Sequence, residues 1–160
     1  MFSLSDICNI AIQIEQNGEK IYRSVADKTN DRQLAQMLEW MADEEARHAR
    51  WFRTLEPGSG RSGSQEEIES MGLSLLREMM KDQSFSLDEA GLLAVDEISG
   101  LLAQSIEFEQ DTILFYEMLS AFIEEDRTIA QLNQIIKEEH GHVEQLERLQ
   151  RIYSGKRNKS

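Results

Sequence analysis

The sequence contains one pattern twice, at a constant offset of 94 residues. The pattern is a Glu, a Tyr seven residues later, and a Glu-x-x-His motif whose Glu lies thirty residues after the first. The two copies are Glu15, Tyr22, Glu45 and His48, then Glu109, Tyr116, Glu139 and His142. Other identities at this offset are Ile12/Ile106, Gln16/Gln110, Leu38/Leu132, Glu44/Glu138 and Leu55/Leu149. A constant offset over so many positions indicates a duplicated structural unit.

Apolar residues recur at helical spacing through both copies, and the 160 residues include a single proline, Pro57. This periodicity predicts an all-α chain. The predicted helices span about 5–29, 31–56, 92–122 and 125–153, the second starting at Asp31. Between the second and third, we expect a long crossover at 57–90 that contains a helix at about 65–81.

Short turns separate the first helix from the second and the third from the fourth, so each pair should form an antiparallel hairpin. Two such hairpins joined by one long crossover are the ferritin-like form of the four-helix bundle. We therefore predict a single ferritin-like domain over residues 1–160.

The charge and the cysteine count exclude several classes of partner and site. A formal net charge of −13 opposes binding to nucleic acid or to an anionic membrane. The single cysteine, Cys8, allows neither an internal disulfide nor a thiolate metal site of its own. The N-terminus has no basic region followed by an apolar run, and no window reaches the ~18 apolar residues of a membrane span. We expect a cytoplasmic protein.

The six Glu and His residues of the repeat interrupt apolar stripes on the inner faces of the helices. Glu15, for example, lies at helical spacing between Ala11 and Gly18. Buried carboxylates repel one another unless they are protonated or bound to cations. Two divalent ions would balance four carboxylates, and neutral imidazoles would add ligands without charge. The predicted metal ligands are Glu15, Glu45, His48, Glu109, Glu139 and His142. The alternative is surface charge on solvated helices.

Other polar residues near these six have less specific expectations. Tyr22 and Tyr116 lie two turns along from a ligand Glu, either as plain core residues or with hydroxyls that orient the ligand carboxylates. His140 lies on a different face from His142 and should be solvated or should support a ligand. Glu44 and Glu138 are rotated by one residue from the ligands and should be exposed.

Three segments resemble the rubrerythrin family of the ferritin-like superfamily, namely residues 43–50, 106–116 and 136–142. The resemblance extends over nearly the whole chain. It implies a di-iron centre in which Glu45 and Glu139 bridge the two metal ions. It further implies that Glu15 and Glu109 are terminal carboxylates. His48 and His142 would be terminal imidazoles.

The chain departs from the family at two points. Rubrerythrins proper carry a rubredoxin-like iron site built from Cys-x-x-Cys pairs, whereas this chain has only Cys8. Electrons must therefore come from a separate donor, such as a rubredoxin-like protein. An extra carboxylate usual in the family, one turn after the Glu of the third helix, is replaced by Thr112. The resemblance also implies a homodimer, in which helix pairs could exchange through the glycine-rich connector at 57–64.

The resulting functional hypothesis is a non-haem di-iron oxidoreductase that reduces hydrogen peroxide or dioxygen, with no catalytic residues beyond the metal ligands and their supports. Two iron ions are the expected cofactor, and manganese or zinc are feasible substitutes in such a site. A ferroxidase or iron-handling protein would use the same centre. A third reading is a structural bundle without metal.

Overall fold

The computed structural model describes residues 4–55, 98–121 and 123–157, and the side chains of 7–55, 98–121 and 123–153. These residues form four helices and no strand: α1 (Leu4–Lys28), α2 (Arg32–Thr54), α3 (Ile98–Ser120) and α4 (Asp126–Arg157). The all-α prediction is confirmed for them. The predicted crossover at 57–90, its helix and the predicted start of the third helix at 92 lie outside the described residues.

The chain divides into two compact units, Met1–Glu69 and Ser70–Ser160. In the first unit α1 packs along α2, and in the second unit α3 packs along α4. A turn of a few residues joins the helices of each pair. Because so short a turn returns the chain beside the preceding helix, each unit is the helical hairpin that the sequence predicts.

The turn of the first hairpin is fixed by Asp31, the N-cap of α2. Its carboxylate Oδ1 accepts hydrogen bonds from the backbone N–H groups of Gln33 at 3.1 Å and Leu34 at 3.2 Å. The backbone N–H of Asp31 in turn donates to Thr29 Oγ1 at 3.2 Å. These bonds satisfy donors that have no partner inside the helix, so the helix begins where the sequence predicts.

The C-terminal ends of all four helices differ from prediction, by one residue in α1 and by two residues in α3. Helix α2 ends at Thr54 rather than at 56, and Leu55 has an extended backbone. The ring of a proline disfavours helical geometry in the residue before it, so Pro57 stops the helix early. Helix α4 continues to Arg157, four residues past the predicted end at 153. Gly155 costs only about 1 kcal/mol in a helix, and basic residues near a C-terminus favour it.

The predicted apolar faces form the interior of each hairpin. The buried apolar residues of the first unit include Ile7, Ala11, Ile14, Ile21, Leu34, Leu38, Met41 and Phe52. Those of the second unit include Leu101, Leu102, Phe108, Phe115, Leu119, Leu132, Ile135 and Leu146. Val25 and Ile98, which also belong to the predicted faces, are only half-buried. None of the described helices combines the length and the apolar character that a membrane span requires.

The N-cap of α2 gives a test of the first hairpin. Replacement of Asp31 by Ala removes the acceptor of two backbone bonds and should lower the free energy of unfolding by about 1 kcal/mol, as measured by urea denaturation. Asp31→Asn retains the capping oxygen and should lose much less. Equal losses in the two variants would show that the cap does not determine the stability of this turn.

Candidate metal centre

The first unit buries two glutamates and a histidine together, and we call Glu15, Glu45 and His48 the first triad. Glu15 comes from α1, and the other two come from α2. All three side chains have no exposed surface. His48 Nδ1 lies 3.5 Å from Glu15 Oε1, and one ligand atom from each residue lies within 4.8 Å of the others.

The second unit repeats this arrangement in Glu109, Glu139 and His142, which we call the second triad. Glu109 comes from α3, the others come from α4, and all three are again fully buried. His142 Nδ1 lies 3.1 Å from Glu139 Oε2 and 3.7 Å from Glu109 Oε1. Within this triad too, one ligand atom per residue lies within 4.8 Å of the others.

Helical spacing explains how each Glu-x-x-His motif converges on one point. Residues three apart on a helix share a face, so the Glu and the His of a motif project in the same direction. In α2 they lie between the buried residues Met41 and Phe52, and in α4 between Ile135 and Leu146. The Glu and the His lie on the same face as the apolar residues that pack inside each hairpin, so they too are buried.

The second triad binds protons strongly when no metal is present. Burial raises the pKa of Glu109 to about 8, and the neighbouring charge of Glu139 adds to the shift. Burial by itself lowers the pKa of His142, but hydrogen bonding to Glu109 and Glu139 outweighs it and raises this pKa to about 10. A cation that neutralised the carboxylates would replace these protons.

The donor set of each triad fits a transition-metal ion. Carboxylate oxygen and imidazole nitrogen suit iron, manganese and zinc. Ligand atoms ~2.0–2.2 Å from one ion lie at most about 4.4 Å apart. The ligand atoms of each triad lie within 4.8 Å of one another, so at most a small adjustment of side chains is needed to meet that limit.

Comparison with known proteins supports this assignment. The rubrerythrin family model matches residues 6–71, which include the whole first triad. This match confirms the resemblance to rubrerythrins over residues 6–71. The second triad lies beyond this match and is related to the first by the internal repeat. A comparison with curated proteins found no match.

Two solved structures share the fold. One is from Thermotoga maritima and is described as a ferritin-like diiron-carboxylate protein, with a TM-score of 0.68, 20% identity, and coverage of 94% of this chain and 95% of that one. The other is a hypothetical protein from Pyrococcus furiosus, with a TM-score of 0.67, 17% identity, and coverage of 96% and 92%. The predicted ferritin-like four-helix class is confirmed.

Thr112, at the position of the extra rubrerythrin carboxylate, is buried with 1% exposure. Its hydroxyl Oγ1 donates a hydrogen bond to the backbone carbonyl of Phe108 at 2.9 Å. This bond to the preceding turn occupies the only proton of the hydroxyl, so in this structure Thr112 does not donate to a ligand carboxylate.

The remaining predicted residues have mixed outcomes. Tyr22 and Tyr116 are fully buried, and a role in orienting carboxylates stays a prediction. His140 is exposed, in agreement with a solvated side chain. The prediction that Glu44 and Glu138 are exposed is wrong, because both are half-buried. One residue rotates a side chain by about 100°, which leaves it at the edge of the inner face.

The sequence analysis assigned no role at the site to Glu44 or Ser105, which lie beside the triads. Glu44 Oε2 lies 3.8 Å from His48 Nε2, the ring nitrogen that faces away from Glu15. A carboxylate at this place favours the orientation that a metal-bound imidazole requires. Glu44 and Glu138 match in the repeat, which was a usable signal. Ser105 is fully buried one turn before Glu109, and the sequence predicts it only as an inner-face residue.

The raised pKa values predict how stability depends on pH. Glu109 and His142 bind protons more tightly in the folded chain than at their ordinary pKa values of 4.5 and 6.5. The stability they contribute is present below those ordinary values and is lost as the pH rises through about 8 and about 10. Metal-free protein should therefore melt at progressively lower temperature from about pH 5 to about pH 10, as followed by circular dichroism with a chelator.

Bound Mn²⁺ should offset this loss, so it should raise the melting temperature more at neutral pH than in acid. In Glu109→Gln the side chain is neutral at every pH, so the metal-free variant should show a weaker pH dependence between pH 4.5 and about 8, where Glu109 contributes. A metal-free melting temperature that rises from pH 5 to pH 10 would contradict the assignment.

Proposed function

We propose that this protein is a di-iron carboxylate oxidoreductase of rubrerythrin type that reduces hydrogen peroxide or dioxygen with electrons from a separate donor. The observation that carries the proposal is the presence of two fully buried triads, each with two glutamates and one histidine. Bundles of the ferritin-like class use this set of four carboxylates and two imidazoles to hold two metal ions.

In this proposal the six residues of the two triads would hold two iron ions. The rubrerythrin resemblance implies that Glu45 and Glu139 would be shared carboxylates, whereas Glu15, Glu109 and the two histidines would be terminal ligands. Four carboxylates carry −4 and two ferrous ions carry +4, so the ligands neutralise the metal charge inside the protein.

When bound, the two ferrous ions supply the two electrons that, with two protons, convert one peroxide molecule to two waters. The chain supplies the surroundings. Fully buried ligands exclude bulk water, which strengthens electrostatic interactions within the site. Glu44 favours one orientation of the His48 ring, and the hydroxyls of Tyr22 and Tyr116 are proposed to orient the ligand carboxylates.

The proposal includes a protein partner and a compartment. The single cysteine, Cys8, is buried, and burial raises its pKa to about 11. A thiol protonated at neutral pH is a poor metal ligand and a poor redox group. The electrons are therefore assigned to an external donor such as a rubredoxin-like protein. A cytoplasmic location would supply such donors in reduced form.

A ferroxidase or iron-handling function is the second candidate. It is favoured by the net charge of −13, which attracts cations, and by Thr112, which leaves the centre one carboxylate short of the rubrerythrin set. Iron that stays bound after repeated turnover would support the oxidoreductase, whereas iron released to solution would support the ferroxidase.

The ligand assignment predicts which variants lose metal. Glu45→Ala and His142→Ala should each lower the iron content from two ions per chain, Glu45→Ala to nearly none, because a bridging ligand contacts both ions. His140→Ala is the matched control, since His140 is exposed and lies two residues from His142. Plasma emission spectrometry of protein loaded anaerobically with ferrous iron gives the content. A fully loaded Glu45→Ala protein would refute the assignment.

Thr112 predicts a change in reactivity. Thr112→Glu adds an anionic ligand that stabilises ferric iron, so stopped-flow oxidation by peroxide should be faster than in the wild type. Thr112→Gln, similar in size but neutral, is the control and should not accelerate the reaction. An unchanged or lower rate in Thr112→Glu with two irons bound would show that this position does not limit turnover.

The assembly proposed for the protein is a homodimer, in which helix pairs could be exchanged between chains. The proposal rests on the rubrerythrin resemblance and on the long segment between α2 and α3. Sedimentation velocity at micromolar concentration should show a species of twice the chain mass. A single species at the mass of one chain would rule the dimer out.

A further inference from the structure

The two halves of the repeat have the same ligands but different neighbours around the first glutamate. One turn before Glu15 lies Ala11, whereas one turn before Glu109 lies Ser105. Three residues after Glu15 lies Gly18, and the equivalent position in the second half is Thr112. Hydroxyl groups therefore flank the glutamate only in the second unit.

Ser105 is the informative member of this pair. Its side chain has no exposed surface, and among the described residues its Oγ has no hydrogen-bond partner. A buried hydroxyl without a partner is unfavourable, since it has given up its bonds to water. Its presence inside α3 is explained if a partner becomes available in another state of the protein.

The direction of side chains on a helix identifies that partner. Each side chain leans toward the N-terminus of its helix, over the residue four positions earlier. Glu109 therefore leans over Ser105, about 5–6 Å from it between Cβ atoms. The hydroxyl of Thr112 does not compete, because it donates to the carbonyl of Phe108.

We propose that Ser105 is a positioning residue, whose hydroxyl donates a hydrogen bond to the Glu109 carboxylate when that carboxylate binds a metal ion. The inference rests on the proposed metal centre. A carboxylate held at one oxygen by a hydroxyl presents the other oxygen to the metal in a fixed orientation. Since Ala11 offers no hydroxyl to Glu15, the second triad is the tighter of the two metal positions.

Cobalt binding to the full-length protein tests this inference. Visible absorbance during titration with Co²⁺ and a competing chelator gives two stepwise dissociation constants. Ser105→Ala should weaken one of them by about 10-fold or more, the usual effect of removing a group that orients a ligand, and leave the other unchanged. The weakening should persist in a His48→Gln background and disappear in a His142→Gln background.

A second readout separates positioning from a purely structural role. Ser105→Ala removes a buried hydroxyl that lacks a partner, so the metal-free variant should melt at the same or a higher temperature than wild type. Ala11→Ser, the mirror change, should tighten the weaker position. Thr112→Val keeps the shape of the side chain and should leave both dissociation constants unchanged.

The outcomes distinguish this inference from the proposed function. Wild-type protein that binds no Co²⁺ would overturn both. Two results would overturn the role of Ser105 alone. One is a Ser105→Ala protein that binds two ions with unchanged dissociation constants, and the other is a metal-free Ser105→Ala protein that melts at a lower temperature than wild type. Weaker cobalt binding with unimpaired metal-free stability would establish it.

Discussion

The rest of the structure depends on the burial of four carboxylates and two imidazoles on the inner faces of its helices. An ionised carboxylate removed from water is unfavourable by several kcal/mol unless a cation, a proton or a hydrogen-bond donor compensates. In the second triad without metal, protons supply part of this compensation, since burial raises the pKa of Glu109 and hydrogen bonding to its carboxylate neighbours raises the pKa of His142. In the proposed metal centre, the same groups are the ligands. Folding energy and metal affinity are therefore properties of the same few side chains.

This constraint also explains the architecture of each unit. A helix holds its side chains in a fixed register, so a Glu and a His three residues apart keep their relative positions without any support from loops. The apolar residues between successive polar positions then have to supply the stability that the polar ones remove. In α2 they do so with Leu34, Leu38, Met41 and Phe52, which are all buried. A rigid hairpin with three inward ligands results from nothing more than this spacing.

The sequence predicted the features that depend on residue spacing. It failed for helix ends and for residues at the edge of a helical face, where small opposing effects decide. The hairpins, the Asp31 cap and the burial of all six ligand residues follow from periodicity and capping, which are local properties. The end of α4 at Arg157 was missed because Gly155, a residue typical of helix ends, costs only about 1 kcal/mol inside a helix, so weak end effects decide. Glu44 was missed because a position at the edge of a helical face can be either exposed or half-buried, depending on the neighbours it meets.

Because the two halves of the repeat carry identical sets of candidate ligands, any difference between the two proposed metal positions must come from other residues. The side chains one turn before and one turn after the first glutamate are the nearest such residues on its own helix. In the first unit they are Ala11 and Gly18, which offer no polar side-chain atom. In the second they are Ser105 and Thr112, and the Thr112 hydroxyl is committed to its own helix. In the proposed centre, a single serine would then be enough to make two metal positions with identical ligands unequal, while the geometry that the ligands impose stays the same.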